Sequence, residues 1–295
     1  MTPSTPTEVA PAPAEQNELP PIDRTPLRRR RTRRTLVQLA CVLVSLFMVG
    51  PIVLITFAAL STPDEIAEFP KSLIPSDFTL DTLGAFLSST GVLPAFGNSL
   101  LTGIYTVVLS LLIGAPAGYA IARHVFRGRD PYQLFLLMVR ALPIVVLSVP
   151  LATIFLRAGM YDTVAAVTLV HTALAMPTTV LITASIFVAV PVDLEEAAKV
   201  FGCTRAQTVR RVVLPLAVPG LAASAVFTFV LSWNEVLGAA VLTIGHRTLP
   251  AQVLAALADS PQSYRFAGGF ALVVPALLFI LLMRRYLLNM WGKTA

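Results

Sequence analysis

The chain of 295 residues is 56% hydrophobic and only 13% charged, and its mean hydropathy is +0.76. Soluble domains carry about a quarter charged residues, so this composition excludes an ordinary soluble domain and indicates that much of the chain lies in lipid. The formal net charge of +6 is compatible with a nucleic-acid partner, but most basic residues flank apolar segments, which favours membrane topology over phosphate binding.

The N-terminal segment has the composition of a disordered tail. Residues 1–27 are rich in Pro, Thr, Ala and Glu and nearly lack large apolar side chains, so we predict a disordered cytoplasmic segment over 1–34. The arginines between 28 and 34 are typical of a positive-inside anchor that also contacts anionic lipid. The following apolar run, about 36–60, is too long for a signal peptide and long enough to span a bilayer.

Six segments are apolar enough to cross a membrane, which takes roughly 20 residues. They lie at about 36–60, 98–122, 132–156, 163–190, 217–242 and 266–283. Lysine and arginine concentrate in the segments that are cytoplasmic if the N-terminus is inside, whereas the first outer loop is acidic. We therefore predict an all-α integral membrane protein with six transmembrane helices and both termini in the cytoplasm.

This prediction divides the chain into four parts. They are the tail 1–34, a first transmembrane helix with its acidic outer loop over 35–94, a core of five helices over 95–288, and a cytoplasmic C-terminus over 289–295. Proline and glycine inside the third and fourth spans predict kinked or broken helices. Such breaks favour a transport pathway, because freed backbone groups need protein or a watery cavity, although simple packing is an alternative.

The segment 193–215, between the fourth and fifth spans, has the pattern of two short capped helices. Asp193 and Glu196 have the spacing of a capping box at the start of the first helix. Gly202 lies where a helix C-terminus needs a left-handed residue. Short capped helices do not bend, so the pair could transmit a push, and its place between two spans argues against a DNA-reading role.

The second short helix has its own start and stop signals. Thr204 and Gln207 again have capping-box spacing, and Pro215 is expected to end the helix before the fifth span. Arg210 and Arg211 lie on this helix and either contact a partner or simply hold the loop inside.

Residue by residue, this segment resembles the EAA loop of bacterial ABC importer permeases. That pattern is Glu-Ala-Ala, three residues, Gly, nine residues, an aliphatic residue, one residue and Leu-Pro. The matching residues are Glu196, Ala197, Ala198, Gly202, Val212, Leu214 and Pro215. The chain departs from the pattern at Phe201, Cys203 and Val212, where Asp, Ala and Ile are usual.

The resemblance implies an importer-permease fold with cytoplasmic coupling helices that dock on an ATPase subunit. The first helix would enter a cleft of that subunit, and Glu196 would face basic or amide groups there. Glu196 could also cap its own helix, and both roles are compatible. Arg210 and Arg211 are further candidates for ATPase contact.

Other motifs resemble the sugar-importer permeases of the maltose-permease type over about residues 36–288. They are Ser61-Thr62-Pro63-Asp64-Glu65-Ile66, Asn98-Ser99-Leu100, Tyr119-Ala120-Ile121-Ala122-Arg123, Trp233-Asn234-Glu235 and Thr248-Leu249-Pro250. This resemblance implies import of a di- or oligosaccharide or a polyol across the cell's inner membrane. The implied partners are a second homologous permease, two ATP-binding subunits and an extracytoplasmic sugar-binding protein.

Two alternatives to sugar import stay open. One is an ABC importer permease for glycerol phosphate, phosphate or peptide, although an anionic substrate would call for more pathway cations than one arginine. The other is an ATP-independent secondary transporter, which has no use for an EAA loop.

Two ionisable residues fall inside the predicted spans, where a charge is costly and marks a candidate functional site. They are Arg140 in the third span and Glu235 in the fifth, where Trp233 and Asn234 are its neighbours. Each of these residues either contacts the substrate path or pairs with other helices. Straight helices would leave Arg140 and Glu235 at different depths, so a direct ion pair is doubtful. His171 in the fourth span is expected to be packed or hydrogen-bonded.

The sequence contains no catalytic motif. Gly292-Lys293-Thr294 imitates the end of a phosphate-binding loop, but position 287 is Leu and no helix can follow. We expect no metal site, no disulfide between Cys41 and Cys203, and no cofactor in this chain, with ATP and Mg²⁺ bound by the partner ATPase.

Overall fold

The computed structural model describes residues 27–68, 74–256 and 260–291, and their regular structure is entirely helical. The chain divides into two compact units, residues 1–50 and 51–295. The described part of the first unit is most of helix α1 (Leu27–Ala59), whose apolar side chains from Leu36 to Val49 are exposed. Residues 27–34 are therefore helical rather than disordered, while the predicted disorder of 1–26 lies outside the described residues.

The second unit holds the end of α1 and all later helices. They are α2 (Pro63–Ala67), α3 (Asp81–Ser88), α4 (Val92–Arg123), α5 (Arg129–Arg140), α6 (Ile144–Arg157), α7 (Val164–Val188), α8 (Val192–Val200), α9 (Arg205–Thr208), a π-helical turn (Val209–Val213), α10 (Leu214–Asn234), α11 (Leu237–Leu242), α12 (Leu249–Ala256) and α13 (Gln262–Trp291). The helix α13 covers 289–291 of the predicted C-terminal segment, and 292–295 lie outside the described residues.

Among the described residues, five helical segments are long and apolar enough to cross a membrane: α1, α4, α7, the run from α9 to α10, and α13. A sixth span exists if α5 and α6 are counted as one, but that pair is bent by 89°. Pro143, the residue before α6, explains the break, because it lacks an N–H and disfavours helical geometry at Leu142. The predicted interruption of the third span is therefore confirmed.

The fourth and fifth predicted spans differ from the structure in their continuity. Pro177 does not end α7, which runs as one helix from Val164 to Val188. The predicted span 217–242 is wrong at its outer end, because α10 stops at Asn234 and the chain resumes as the separate helix α11. Glu235 lies in this second break with an extended backbone (φ −76°, ψ 119°).

The tightest packing in the second unit is between α4 and α7. A Cβ on Gly114 would lie 2.9 Å from Cγ2 of Thr179, and one on Gly118 would lie 2.7 Å from the backbone nitrogen of Ala184. The hydroxyl of Thr183 donates to the carbonyl of Gly114 at 3.0 Å, across the same contact. Without side chains at these glycines the two backbones approach closely, which is how membrane helices gain packing energy in the absence of a hydrophobic driving force.

Aromatic side chains join α10 to α13. Trp233 is buried and stacks on Phe229, with ring centroids 5.7 Å apart, and Phe229 stacks on Phe279 at 4.0 Å. The indole N–H of Trp233 donates to the carbonyl of Leu272 at 2.8 Å, so its polar group is satisfied inside the protein.

The close approach of α4 and α7 leads to the first testable prediction. In Gly118→Ala the added methyl meets backbone atoms that cannot move aside, so we expect a destabilisation of about 1–3 kcal/mol, the usual cost of overpacking. The measurement is thermal unfolding of the purified complex in detergent. Gly97→Ala is the matched control, because a Cβ on Gly97, in the same helix, has no atom within 4 Å. Equal stability of the two variants would contradict the packing described here.

Candidate functional site

The coupling-loop candidate, residues 192–215, starts with α8. The helix begins at Val192 with Pro191 at the N-cap and without a side-chain cap. The predicted capping box of Asp193 and Glu196 is therefore wrong, because the N-cap is Pro191, two residues before Asp193, and Asp193 already lies in the first helical turn. Its negative charge still favours that end of the helix through the macrodipole.

The end of α8 is as predicted. Gly202 has φ +85°, and its N–H donates to the carbonyl of Lys199 at 2.9 Å. The N–H of Cys203 donates to the carbonyl of Ala198 at 3.0 Å. Together these bonds form a Schellman motif, which needs a left-handed residue and so favours glycine. The chain consequently reverses sharply into the second helix.

The start of the second helix is also confirmed. The backbone N–H of Gln207 donates to the hydroxyl of Thr204, and the N–H of Thr204 donates to Oε1 of Gln207, which is a complete capping box. The predicted stop at Pro215 is wrong. A π-helical turn over Val209–Val213 carries the helix into α10, and Pro215 falls in the first turn of α10, where its missing N–H costs little.

Most of the predicted docking residues form an exposed surface. Glu196, Ala197, Gly202, Arg210, Arg211 and Pro215 are exposed, Leu214 is half-buried and Ala198 is buried. Arg210 and Arg211, with Ala206 and Gln207, line an open cavity of about 530 Å³. At the tip of the loop Val200 is 85% exposed and Phe201 is 87% exposed, a large apolar surface for a loop of a membrane protein.

The opposite side of α8 is held by a buried ion pair that sequence reasoning missed. Arg123 Nε donates to Oε1 of Glu195 at 2.6 Å, and the two side chains are 9% and 5% exposed. The hydroxyl of Tyr119 donates to Oε2 of Glu195 at 2.8 Å, and Arg123 Nη2 donates to the carbonyl of Val190 at 2.7 Å. Tyr119 and Arg123 are four residues apart in one helix and so share a face, which is the signal that the sequence offered.

A second candidate site is a groove where the two broken spans meet. The groove has a volume of about 590 Å³ and contains Arg140, Asn234 and Glu235, three of the four residues predicted for a substrate path. Its apolar walls include Leu142, Ile144, Leu174, Leu231, Val236 and Leu237. The bend between α5 and α6 is what brings Arg140 and Glu235 to one cavity, contrary to the expectation from straight helices. Trp233, the fourth candidate, points into the α10–α13 core and does not line the groove.

Glu235 is held by two helices beside this groove. Its Oε2 lies 3.0 Å from Nε2 of His171 and accepts the N–H of Ala239, and its Oε1 accepts the N–H of Gly238. His171 is fully buried, and its Nδ1 lies 2.8 Å from the hydroxyl of Ser232. The expectation that His171 is hydrogen-bonded is confirmed. Glu235 therefore caps α11 and ties it to α7, which leaves Arg140 and Asn234 as the exposed polar groups of the groove.

Thr178 is another groove-lining residue that the sequence did not single out. It lies on α7 and is 6% exposed, and its hydroxyl has no hydrogen-bond partner within the described residues. A buried hydroxyl without a partner is costly, so its place on a cavity wall is informative.

The segment after α11 is fixed by one carboxylate. Oδ1 of Asp162 accepts the backbone N–H groups of Ile244, Gly245 and His246 at 2.8–2.9 Å. Burial raises the pKa of Asp162, but the hydrogen bonds from this backbone outweigh it and hold the pKa below its usual range. Among the described residues, no group of three His, Cys, Asp or Glu side chains is arranged to hold a metal ion.

The fold and site define a class: a multi-pass membrane subunit with a loop of two short helices between two long apolar helices, and with no catalytic constellation among its described residues. The family model described as "Binding-protein-dependent transport system inner membrane component" matches residues 110–288. The chain belongs to this family, whose members are permease subunits of ABC transporters rather than enzymes, and it is a multi-pass protein of the inner membrane.

Two relatives show how far the similarity extends. The trehalose transport system permease protein SugB of Mycobacterium tuberculosis is 33% identical over 221 residues, which are 72% of this chain and 80% of that protein. The arabinooligosaccharides transport system permease protein AraQ of Halalkalibacterium halodurans is 30% identical over 250 residues, which are 82% of this chain and 89% of that protein.

Solved structures share the fold at low identity. A chain of a bacterial ABC transporter involved in the import of the acidic polysaccharide alginate has a TM-score of 0.67 and 20% identity, covering 88% of this chain and 98% of that chain. A chain of the MetNI methionine ABC transporter has a TM-score of 0.58 and 20% identity, covering 68% and 95%.

Proposed function

We propose that this chain is the permease subunit of an ATP-driven importer that moves a sugar into the cytoplasm. The observation that carries the proposal is the coupling loop, whose helix α8 presents an exposed face on one side and is held by a buried ion pair on the other. Relatives named for trehalose and arabino-oligosaccharides support a di- or oligosaccharide as the substrate.

The proposed assembly follows from the family. The chain crosses the membrane six times, with the bent pair α5–α6 as one span and both termini in the cytoplasm. A second homologous permease completes the translocation path, two ATP-binding subunits supply the energy, and an extracytoplasmic binding protein delivers the sugar. ATP and Mg²⁺ bind to the ATPase subunits, and this chain needs no cofactor of its own.

In this assembly α8 docks on the ATPase. The exposed Glu196 accepts hydrogen bonds from basic or amide groups, and Val200 and Phe201 fill an apolar recess of the partner. Arg210 and Arg211 add positive charge beside the docking helix, and their open cavity leaves room for acidic side chains. ATP-driven closure of the ATPases would then push α8 toward the membrane.

The docking prediction is tested with Gly202→Asp. The new side chain adds the strain of a left-handed backbone, about 1–2 kcal/mol, and places a charge at the docking turn. We expect about tenfold less ATPase to co-purify with the tagged permease, since tenfold corresponds to about 1.4 kcal/mol. The tagged permease is expressed together with the genes that neighbour its own and is pulled down from the membranes. The bound material is measured for ATPase subunit and for ATP hydrolysis.

Gly128→Asp is the control for this experiment. Gly128 also has a positive φ, of +96°, and also faces open space, but it precedes α5 rather than lying on the coupling loop. It should retain the ATPase. The docking proposal fails if the wild-type chain brings down no ATPase, or if the two variants behave alike.

The groove supports a path for a neutral sugar. Arg140, Asn234 and Thr178 offer hydrogen-bonding groups among apolar walls, and a sugar ring presents both hydroxyls and apolar faces. Arg140 is the one described cation lining the groove, which fits a neutral ligand better than phosphate or glycerol phosphate. Glu235 contributes mainly by positioning α11, because its carboxylate is already hydrogen-bonded.

We predict that Arg140→Met slows sugar uptake by about tenfold or more, because a hydrogen bond to a charged group contributes roughly 1.5–3 kcal/mol. Uptake of radiolabelled trehalose and arabino-oligosaccharides would be measured in proteoliposomes with the cognate binding protein. Arg157→Met removes the same charge from the last turn of α6, outside the groove, and should transport like the wild type. If Arg140→Met takes up sugar at the wild-type rate, Arg140 does not contact the sugar on its path.

A further inference from the structure

The buried contact between α8 and α4 joins segments about 70 residues apart in the sequence, and ATPase docking does not require it. We propose that Tyr119, Arg123 and Glu195 are positioning residues that make α4 and α7 follow α8, so that movement of the docking helix reaches the groove. The proposal rests on the proposed function, since it assumes that an ATPase moves α8.

The first step is the strength of the contact. Glu195 is the buried carboxylate of α8, and both of its oxygens are used, one by Arg123 and one by Tyr119. Arg123 also holds the carbonyl of Val190, at the entry to α8. A topology anchor would leave the guanidinium in solvent, but the side chain of Arg123 is 9% exposed. Charge-assisted hydrogen bonds of this kind are short and directional, so α8 cannot shift without α4.

The second step concerns the connections of α8 along the chain. The entry from α7 is only residues 189–191, and the hydrogen bond from Arg123 to the carbonyl of Val190 ties this entry to α4 as well. The exit toward α10 is softer. The exit from α8 passes through the left-handed turn at Gly202 and then through the π-helical turn Val209–Val213 before it reaches α10. A π-helical turn interrupts the regular ladder of a helix and often lies at functional sites. The contact with α4 contains no such interruption, so it is the stiffer route for a push on α8.

The third step is that α4 and α7 move together. Their backbones meet at Gly114 and Gly118, where no side chain could be inserted without displacing backbone or β-branched atoms. The hydroxyl of Thr183 bonds to the carbonyl of Gly114 inside this contact. A tightly packed interface of this kind transmits displacement because it has few voids to absorb it.

The last step connects α7 to the groove. His171, on α7, lies 3.0 Å from Oε2 of Glu235, and Glu235 accepts the first N–H groups of α11. Displacement of α7 therefore moves Glu235 and with it Leu237, which is exposed and lines the groove. A direct contact carries the movement at every step, so the route can be broken at its first contact and measured at its last.

The experiment reads the groove without needing the natural sugar. A reporter variant combines Leu237→Cys with Cys41→Ser and Cys203→Ser in the assembled complex in lipid nanodiscs. The rate of labelling by a charged maleimide is measured with no nucleotide and with ATP, Mg²⁺ and vanadate. In the reporter background we expect the nucleotide to change the rate by about tenfold, as a shift between two states should.

Breaking the contact should remove this response while docking survives. In Arg123→Gln and in Glu195→Gln we expect the nucleotide-dependent change to fall below about twofold, with the ATPase still bound and hydrolysing ATP. The double variant should be no worse than either single variant, because both remove the same interaction. Arg127→Gln, which changes an exposed arginine four residues away, should respond like the reporter background.

Conservative variants decide the matter if the glutamine variants do not assemble. Tyr119→Phe removes one hydrogen bond to Glu195. Arg123→Lys keeps the positive charge but loses the paired N–H donors of the guanidinium. A weaker nucleotide-dependent change of the labelling rate in either variant supports the proposal. A full response in the glutamine variants, or in both conservative ones, overturns it. If the reporter complex contains no bound ATPase, the proposed function is overturned as well. This outcome is detected when the complex is purified, before any labelling.

Discussion

The close packing of α4 against α7 is the contact on which the other features depend. α7 leads directly into the coupling loop at its C-terminal end and carries His171 nearer its N-terminal end. α4 holds the other side of that loop through Arg123 and Tyr119. Because glycines let the two backbones meet, one closely packed pair of helices supports both α8 and the wall of the groove.

Most buried polar groups among the described residues are hydrogen-bonded to other groups of the protein. Glu195 is neutralised by Arg123, and Glu235 is surrounded by His171 and two backbone N–H groups. A buried charge is costly unless it is paired, so these contacts are what allow the two glutamates to lie inside the protein. The Arg140 guanidinium, the Thr178 hydroxyl and the Asn234 amide, whose Nδ2 donates to the carbonyl of Val230 at 2.9 Å but whose oxygen has no such bond in the part of the chain that the structure describes, are the groups proposed to meet a passing ligand.

Local signals of the sequence predicted the local structure well. Gly202 and the pair Thr204–Gln207 specify their caps through contacts within a few residues, and both caps are present. Asp193 was misread because Pro191 competes for the start of α8. Pro215 was misread because a π-helical turn, which leaves no clear mark in a sequence, moves it into the first turn of α10.

Long-range features could not be read from the sequence. Glu195 and Glu196 are neighbours of the same type, and only the fold decides that Glu195 turns inward to Arg123 while Glu196 faces solvent. Trp233 and Glu235 are two residues apart, yet one packs in the core and the other lines the groove, because α10 ends between them. Because α5 and α6 are bent by 89°, the depth of Arg140 in the membrane cannot be estimated from a straight helix.

Photocross-linking from Phe201 tests the docking of α8 most directly. Phe201 is 87% exposed at the tip of the coupling loop and can be replaced by a benzoyl-phenylalanine photoprobe in the otherwise unchanged chain. Phe135, which is 58% exposed on α5, is the control position. The account predicts an adduct with the ATPase subunit from position 201 and none from position 135. An assembled complex that gives no ATPase adduct from position 201 would contradict it.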